Sequence, residues 1–500
     1  MKNFKFRKIH LACIFALIGI LVFVVCSWYG THYYAGFEEI LVTITSPLKG
    51  SDTTAIKSGF TDCAPKVALY FAVFLVPVLI WYTFKIGDKI QAKYSSPDEK
   101  LDINKVADNV FLVIGSTIMM CSLLFLNSHF GISDYFMLKT QQTTLYEEYY
   151  ADPDDIKISC DEQNKNLIIL YLESMETSYA STQDGGGQDI NYIPHLTQLA
   201  KEEVNFTEDG LLGGFHNTAG SSWTAGALFS TTSGLPYPTG MPVEKSENSF
   251  APKVTSLYDI LDKNGYNQYY LCGSDAYFGG RSIYYQSHGN LTIYDHNTAK
   301  NDGYISDDYD VWWGYEDAKL YDIAKDKITA AAAIGEPFSF TMLTADTHFP
   351  QGYICQKCRS DHDSVVENVL LCADCQANDF ISWCKTQDFY KDTVIVVMGD
   401  HPRMDKVLPK DVAAYERTTY AVFVNCDDKA ADSANRIYTQ LDIMPTTLAA
   451  MGFKIEGNRL ALGTNLFSDK ATLAEELGFA TLNSELGKGS EFLKELFAAE

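Results

Sequence analysis

The sequence has little positive charge for its length, and it contains no internal repeat and no low-complexity segment. Its 500 residues include 39 Lys+Arg against 64 Asp+Glu, which gives a formal net charge of −25 at pH 7. A surface of that sign repels nucleic acid and anionic headgroups at long range. We therefore predict no nucleic-acid partner, and we expect an anionic substrate to need a local cation such as a bound metal ion.

Charge is also missing from three apolar stretches in the first 131 residues. Each is close to the ~20 residues that span a bilayer, and they cover residues 11–29, 67–84 and 110–126. The first is too long in its apolar part for a signal peptide and has no small-residue cleavage site. We predict a membrane domain over residues 1–131 with three transmembrane helices.

The basic residues around these stretches predict how the chain is oriented. Cytoplasmic loops carry an excess of Lys and Arg. Basic residues precede the first stretch and fill the loop between the second and third, namely Lys2, Lys5, Arg7 and Lys8, then Lys85, Lys89, Lys93, Lys100 and Lys105. The loop between the first and second holds Lys49, Lys57 and Lys66 against four acids. An odd number of spans then places the chain after about residue 127 outside the cytoplasm, so we expect a multi-pass cell-membrane protein with an extracytoplasmic catalytic domain.

The remainder alternates short apolar runs with helical patterns. Strands are predicted at residues 166–172, 267–272, 338–344, 393–399 and 420–425, and helices lie between them, for example at 256–266 and 369–384. Continuous apolar strands separated by helices indicate an α/β fold with a mostly parallel sheet covered on both faces. We assign residues 132–165 to a linker, 166–469 to the catalytic domain and 470–500 to peripheral C-terminal helices.

Polar side chains follow three of these strands. Glu173-Ser174 ends the first, Asp346 to His348 follows the third, and Asp400-His401 ends the fourth. Each pair alone fits a strand-terminal turn or a helix cap. Together, two carboxylates and a histidine at one edge of a parallel sheet favour a divalent metal site.

A hydroxyl-bearing segment supplies a candidate nucleophile. Residues 213–236 read GGFHNTAGSSWTAGALFSTTSGLP, in which small residues lead to Thr224 at the start of a helix-like run. A helix N-terminus presents free backbone N–H groups that suit phosphate. A metal ion can activate a hydroxyl by favouring its alkoxide form. Without the metal residues, Thr224 would simply cap the helix.

Five motifs then carry a family resemblance. LYLESMETSY, NTAGSSWTAGALFSTTSGLP, CGSDAYFGGRSIYYQSHG, LTADTHFPQGYICQKC and VIVVMGDHP lie in order over about residues 166–402. They resemble the lipoteichoic acid synthase and phosphoglycerol transferase I group of the sulfatase and alkaline-phosphatase superfamily. The resemblance implies a sulfatase-like domain that binds Mn²⁺ or Mg²⁺ through Glu173, Thr224, Asp400 and His401. It also implies a covalent glycerophosphate on Thr224, and contacts to the phosphoglycerol group from Asp275, Arg281 and His348.

Three functions are compatible with these residues. The first is transfer of phosphoglycerol from a phosphatidylglycerol-type lipid donor to an envelope glycan or polyglycerophosphate acceptor. The second is hydrolysis at the same site, as an extracytoplasmic phosphodiesterase with water as acceptor. The third is a non-enzymatic scaffold, which the intact candidate metal ligands argue against. Sulfate-ester cleavage is disfavoured, because it needs a Cys or Ser oxidised to formylglycine and Thr224 cannot provide that group.

Four cysteines form two C-x-x-C pairs, Cys355 with Cys358 and Cys372 with Cys375. The spacing resembles a zinc ribbon. Because we expect this region outside the cytoplasm, where disulfides form, we favour one or two disulfides over a zinc site.

Overall fold

The computed structural model describes residues 7–34, 36–45, 54–94, 102–160, 165–239, 245–246, 249–412, 417–426 and 433–498. The chain divides into two units, the first made of Met1–Phe37 and Thr53–Phe136 and the second of Glu38–Asp52 and Met137–Glu500. Four of the lysines used to orient the chain lie outside the described residues: Lys2, Lys5, Lys49 and Lys100.

Eighteen α-helices are described. They are α1 Lys8–His32, α2 Phe37–Thr45, α3 Thr54–Thr83, α4 Ile86–Tyr94, α5 Ile103–Phe130, α6 Ile132–Thr140, α7 Leu145–Tyr149, α8 Pro194–Glu202, α9 Thr224–Ser233, α10 Leu257–Lys263, α11 Arg281–Ser287, α12 His296–Asn301, α13 Asp317–Ala333, α14 Val365–Lys385, α15 Ile443–Ala450, α16 Leu473–Leu477, α17 Phe479–Gly487 and α18 Glu491–Phe497.

Thirteen short or medium strands accompany them. They are β1 Ile158–Cys160, β2 Asn166–Leu172, β3 Gly214–Phe215, β4 Lys245–Ser246, β5 Ser249–Phe250, β6 Asn267–Cys272, β7 Thr292–Tyr294, β8 Phe338–Leu343, β9 Thr393–Gly399, β10 Thr419–Val424, β11 Phe453–Ile455, β12 Arg459–Leu460 and β13 Gly463–Thr464.

Three helices of the first unit are long and apolar enough to cross a membrane. They cover Lys8–His32, Ile56–Thr83 and Ile103–Phe130 and match the three predicted spans. Small residues let α1 and α5 approach closely. A Cβ added to Gly19 would lie 2.7 Å from the Met119 Cα, and one added to Gly115 would lie 2.4 Å from the Ala12 carbonyl oxygen. Close backbone approach at glycine is a common way for membrane helices to pack.

The second unit is built around a seven-stranded sheet with the order β3-β10-β9-β2-β8-β6-β7. The pairs β9–β2, β2–β8, β8–β6 and β6–β7 are parallel, and β10 runs antiparallel to both of its neighbours. The predicted α/β fold with a mostly parallel sheet is therefore confirmed. The predicted strands at 166–172, 267–272 and 393–399 coincide with β2, β6 and β9.

Both faces of this sheet are buried. Alternate residues of β2 enter two separate apolar cores, Leu167 and Ile169 on one side and Ile168 and Leu170 on the other. All four are at most 1% exposed. A strand buried on both faces has no polar alternation, which is why this one reads as an uninterrupted apolar run in the sequence.

Two segments are more ordered than their polar composition indicates. Residues 132–165, assigned to a linker, contain α6, α7 and β1; Leu145 and Tyr146 of α7 are buried in the core, and β1 pairs with β11. The C-terminal segment forms three short helices, of which α18 buries Leu493 and Phe497. A few apolar side chains spaced along a polar segment are enough to dock it onto a large core.

Candidate active site

Sheet register brings two of the predicted metal ligands together. Leu172 at the end of β2 lies opposite Gly399 at the end of its parallel neighbour β9. The next residues, Glu173 and Asp400, therefore leave the sheet side by side at its carboxyl edge, where α/β folds bind their ligands. Together with His401 they are at most 2% exposed. Three ionisable side chains are thus buried in one place.

Thr224 joins this group from a different element. It is the first residue of the ten-residue helix α9, after Trp223 in an extended conformation (φ −143°). Trp223, not Thr224, occupies the N-cap position, so the Thr224 hydroxyl is not the cap of this helix. A phosphate placed against Thr224 would meet the free N–H groups of the first turn.

The four side chains are spaced for a shared ion. Thr224 Oγ1 lies 3.4 Å from both Glu173 Oε2 and His401 Nε2. His401 Nε2 lies 3.4 Å from Asp400 Oδ2 and 3.7 Å from Glu173 Oε1. Neighbouring ligands of one ion at about 2.1 Å stand roughly 3.0–3.5 Å apart, and these separations are close to that value.

Hydrogen bonds leave the atoms that face this space available. Asp400 Oδ1 accepts from the backbone N–H groups of Ser174 and His401 at 2.8 and 2.9 Å. Asp400 Oδ2 is buried without a hydrogen-bond partner among the described residues. His401 Nδ1 lies 2.9 Å from the Pro402 carbonyl, which fits the tautomer that leaves the Nε2 lone pair for a metal. The donor set therefore fits a divalent cation.

The electrostatics of the group also favour a cation. Burial and the charge of Glu173 raise the pKa of Asp400 to about 6. Burial lowers the pKa of His401, but the charges of Asp400 and Glu173 outweigh it and the net shift is upward. Two carboxylates this close repel each other when both are ionised, and a divalent ion offsets that repulsion.

His348 lies beside the cluster on the segment that follows β8. Burial lowers the pKa of His348 to about 4, and the nearby His401 acts in the same direction. Its Nδ1 lies 2.7 Å from the Phe349 carbonyl. The ring is therefore neutral near pH 7, and the tautomer that donates to this carbonyl leaves Nε2 with a free lone pair.

Arg281 and Asp275 share the loop that follows β6. The Arg281 guanidinium donates from Nε to the Phe278 carbonyl at 2.9 Å, and from Nη2 to Ser274 Oγ and the Asp275 carbonyl at 2.9 and 2.8 Å. Nη1 has one longer contact, 3.4 Å to the Tyr270 hydroxyl. Arg281 is thus largely committed to shaping this loop, and Nη1 keeps the capacity to contact a ligand.

This loop lies against the helix that carries Thr224. Gly279 has a φ of 68°, and a Cβ added to it would lie 3.5 Å from the Ala225 Cβ. In the part of the chain that the structure describes, Asp275, Arg281 and His348 form no hydrogen bond with Thr224. The predicted residues thus divide into a contacting group of Glu173, Thr224, Asp400 and His401, and a neighbouring group on two loops.

Two further residues belong to the site and were not predicted. Ser174 has a φ of 52°, and its backbone N–H and Oγ hydrogen-bond to Asp400 Oδ1 and Glu173 Oε1. A non-glycine residue in the left-handed conformation is strained, and such strain is typical of functional sites. Trp313 packs edge-on against the His348 ring and also contacts Phe278. It therefore links the loop after β6 to the segment after β8, which no local sequence pattern indicates.

Comparisons with known proteins agree with the resemblance of the motifs. A family model described as Sulfatase matches residues 165–453. The phosphoglycerol transferase I of Xanthomonas euvesicatoria pv. vesicatoria is 28% identical over 295 residues, which are 57% of this chain and 40% of that protein. The phosphoglycerol transferase I of Salmonella choleraesuis is 29% identical over 315 residues, which are 61% of this chain and 39% of that protein. The chain thus spans about two fifths of the length of the curated relatives it matches.

A solved structure supports the fold. A protein of the alkaline phosphatase superfamily from Vibrio parahaemolyticus matches with a TM-score of 0.50 and 20% identity, over 68% of this chain and 79% of that one. The overlap confirms the predicted sheet architecture.

Proposed function

The chain belongs to the sulfatase family, and we propose that it is a membrane-anchored, metal-dependent phosphotransferase with Thr224 as its nucleophile. Its proposed substrates are a phosphatidylglycerol-type lipid as glycerophosphate donor and an envelope glycan or polyglycerophosphate as acceptor. One observation carries the proposal: Thr224 Oγ1, at the N-terminus of α9, lies 3.4 Å from both Glu173 Oε2 and His401 Nε2. The relatives named phosphoglycerol transferase I support the choice of transferred group.

The cofactor is proposed from the donor set. Glu173, Thr224, Asp400 and His401 would hold Mn²⁺ or Mg²⁺, because mixed carboxylate, hydroxyl and imidazole ligands suit these ions better than a thiolate-preferring one. Such an ion would favour the alkoxide form of Thr224 and offset the charge of the phosphate.

In the first step Thr224 Oγ1 attacks phosphorus and the bond to the diacylglycerol oxygen breaks. The Thr224 proton leaves towards Glu173 Oε2, 3.4 Å away, because the His401 Nε2 lone pair would be used by the ion. The departing diacylglycerol oxygen takes a proton from solvent water, and the lipid leaves. A glycerophosphate ester then remains on Thr224, beside the N–H groups of the first turn of α9.

In the second step the acceptor hydroxyl attacks phosphorus, the bond to Thr224 breaks, and Thr224 Oγ1 regains the proton held by Glu173. A neutral His348 suits this step, since its Nε2 lone pair can take the proton of the incoming hydroxyl. Its pKa of about 4 makes it a poor acid near pH 7. The loop of Asp275 and Arg281, packed against α9, is where we expect the glyceryl group to bind.

The membrane unit fits a lipid donor. Three helices long enough to cross a bilayer lie within the first 131 residues, and the Lys and Arg bias around them predicts that the region after them lies outside the cytoplasm. We propose that the enzyme takes its donor from the outer leaflet.

The covalent step is tested with the full-length chain in detergent micelles, phosphatidylglycerol with a fluorescent acyl chain, and Mn²⁺. Thr224→Ala is expected to abolish diacylglycerol release and to leave folding intact. Removing one small side chain at a helix start lowers the free energy of unfolding by about 0.5–2 kcal/mol. Ser222→Ala, two residues earlier, is the matched control and is expected to stay active. Mass spectrometry is expected to find glycerophosphate on the wild-type peptide that contains Thr224. An active Thr224→Ala variant, or an adduct on another hydroxyl, would contradict the proposed nucleophile.

Transfer and hydrolysis are separated by a label in the headgroup. Under the transferase proposal, labelled glycerophosphate moves to an added glycan. If the label appears only as free glycerophosphate, with or without glycan, the enzyme is a phosphodiesterase that uses the same site with water as acceptor.

A further inference from the structure

Three cysteine thiols converge at a second place in the catalytic unit. Cys355 Sγ lies 3.7 Å from Cys358 Sγ and 3.8 Å from Cys372 Sγ, and all three sulfur atoms lie within 4.8 Å of one another. Cys355 and Cys372 are buried and Cys358 is partly exposed. All four cysteines of the two C-x-x-C pairs are free thiols. The expected extracytoplasmic location, taken alone, favours disulfides instead.

The spacing of these sulfur atoms suits a tetrahedral metal ion. Thiolates bound to zinc at about 2.3 Å stand about 3.8 Å apart when the geometry is tetrahedral. A disulfide joins only two sulfur atoms and would leave the third thiol unpaired at the same point. Convergence of three sulfur atoms is therefore better explained by one ion than by one bond.

Local hydrogen bonds hold the cluster in place. The turn from Cys355 to Cys358 is closed by a backbone hydrogen bond of 3.1 Å. The Gln376 amide lies 3.4 Å from Cys372 Sγ. Donors of this kind around sulfur are the outer partners that metal-bound thiolates use.

We propose that Cys355, Cys358 and Cys372 bind a zinc ion, which fastens the segment carrying His348 to helix α14. Cys355 and Cys358 end the segment that runs from β8 through His348, and Cys372 lies in the first half of α14. Three sulfur ligands select a soft or borderline ion such as Zn²⁺ over Mn²⁺ or Mg²⁺. This site shares no ligand with the candidate catalytic cluster and does not rest on the proposed function.

The fourth cysteine is outside the set. Cys375 is exposed, and its Sγ lies 4.0 Å from His195 Nδ1. The paired C-x-x-C spacing indicates four thiol ligands, whereas the structure brings together only three of them. Cys375 therefore provides a matched control.

The test uses the full-length chain, purified under reducing conditions without chelator. Elemental analysis is expected to find one zinc per chain that Cys355→Ser, Cys358→Ser and Cys372→Ser each lose and that Cys375→Ser keeps. Exchange with Co²⁺ is expected to produce thiolate-to-cobalt charge-transfer absorption in the wild type and in Cys375→Ser only. That absorption excludes the catalytic cluster of Glu173, Asp400 and His401, which has no sulfur ligand. Its persistence in Cys375→Ser excludes the other group that contains a sulfur atom, formed by His195, Asp374 and Cys375.

The variant least expected to disturb folding is Cys358→Ser, and it serves as the folding control. Cys358 is partly exposed, so Cys358→Ser is expected to fold. A chelator is expected to lower the melting temperature of the wild type by more than that of Cys358→Ser, because the catalytic cluster would lose its ion in both. Absence of zinc and of the cobalt absorption in the reduced wild type would overturn the proposal. So would loss of the metal in Cys375→Ser, or a disulfide between any two of the three cysteines in protein alkylated without reductant.

Discussion

Replacing Asp400 with asparagine is expected to stabilise the metal-free protein and to weaken its response to metal. Asp400 is fully buried, with Oδ1 held by two backbone N–H groups and Oδ2 without a partner among the described residues. Asparagine keeps the Oδ1 acceptor and places an uncharged amide where Oδ2 lies. The substitution removes a charge while preserving shape.

The magnitude follows from the pKa of Asp400. Burial and Glu173 raise it from 3.8 to about 6, and a shift of about two units is worth roughly 3 kcal/mol at ~1.4 kcal/mol per unit. The folded state binds this proton more tightly than the unfolded state, so stability falls as pH rises from about 4 to 6. At pH 8 with chelator, Asp400→Asn is therefore expected to be more stable than wild type by up to about 3 kcal/mol. Near pH 4 that advantage is expected to disappear.

Manganese is expected to narrow the stability difference between the two proteins at pH 8. An ion that binds only the folded state stabilises it by mass action, about 2.7 kcal/mol at 100 times its Kd. The wild type offers two carboxylates to the ion, whereas Asp400→Asn offers one. The wild type is therefore expected to gain more stability from Mn²⁺ than the variant does.

The assay is thermal or denaturant unfolding of the full-length chain in detergent, followed by tryptophan fluorescence, from pH 4 to 8 with chelator or Mn²⁺. Asp442→Asn is the matched control, because burial also raises the pKa of Asp442 to about 6 while it bonds to Thr439 and Thr464. That variant is expected to keep the full manganese response. The reasoning is refuted if metal-free Asp400→Asn is no more stable than wild type at pH 8, or if Mn²⁺ stabilises both equally.

Three further predictions concern the loops and the membrane. His348→Gln is expected to slow the second step by about 10²–10⁴-fold, the usual contribution of a general base, so that the glycerophosphate adduct accumulates in mass spectra; an unchanged adduct level would argue against that role. Gly279→Ala is expected to raise KM for the lipid, because its φ of 68° costs an L-residue about 1–2 kcal/mol and its loop abuts Ala225. Gly303→Ala, at φ 78° with open space around it, is expected to leave KM unchanged, and equal effects would contradict a specific role for the Gly279 loop. Protease added to intact spheroplasts is expected to digest the region after residue 131, and protection of that region would refute the proposed topology.

Much of the fold could be read from short stretches of sequence. β2, β6 and β9 are contiguous apolar runs, and burial on both faces of a sheet produces that pattern directly. The pairing of Glu173 with Asp400 was also predictable in outline, because carboxyl ends of parallel strands meet at one edge of a sheet. The three candidate membrane helices follow from length and hydropathy alone.

The rest of the candidate site depends on which loops meet, and no local pattern carries that information. The resemblance implies a contact from Arg281 to the phosphoglycerol group, which stays a prediction. The folded loop directs most of its donors to neighbouring carbonyl and hydroxyl groups. Trp313 contacts both His348 and Phe278, which lie on different loops. Such contacts join residues far apart in the chain, and the strand order decides them.

The cysteines show most clearly what the sequence determines and what only the tertiary structure decides. Composition and spacing determined that Cys355, Cys358, Cys372 and Cys375 form two C-x-x-C pairs, and predicted either disulfides or zinc. Only the tertiary structure decided that three of the sulfur atoms converge and that Cys375 faces outwards near His195. Spacing along the chain is a property of neighbouring residues, whereas the direction of a side chain on α14 depends on how that helix packs against the sheet and against the segment after β8.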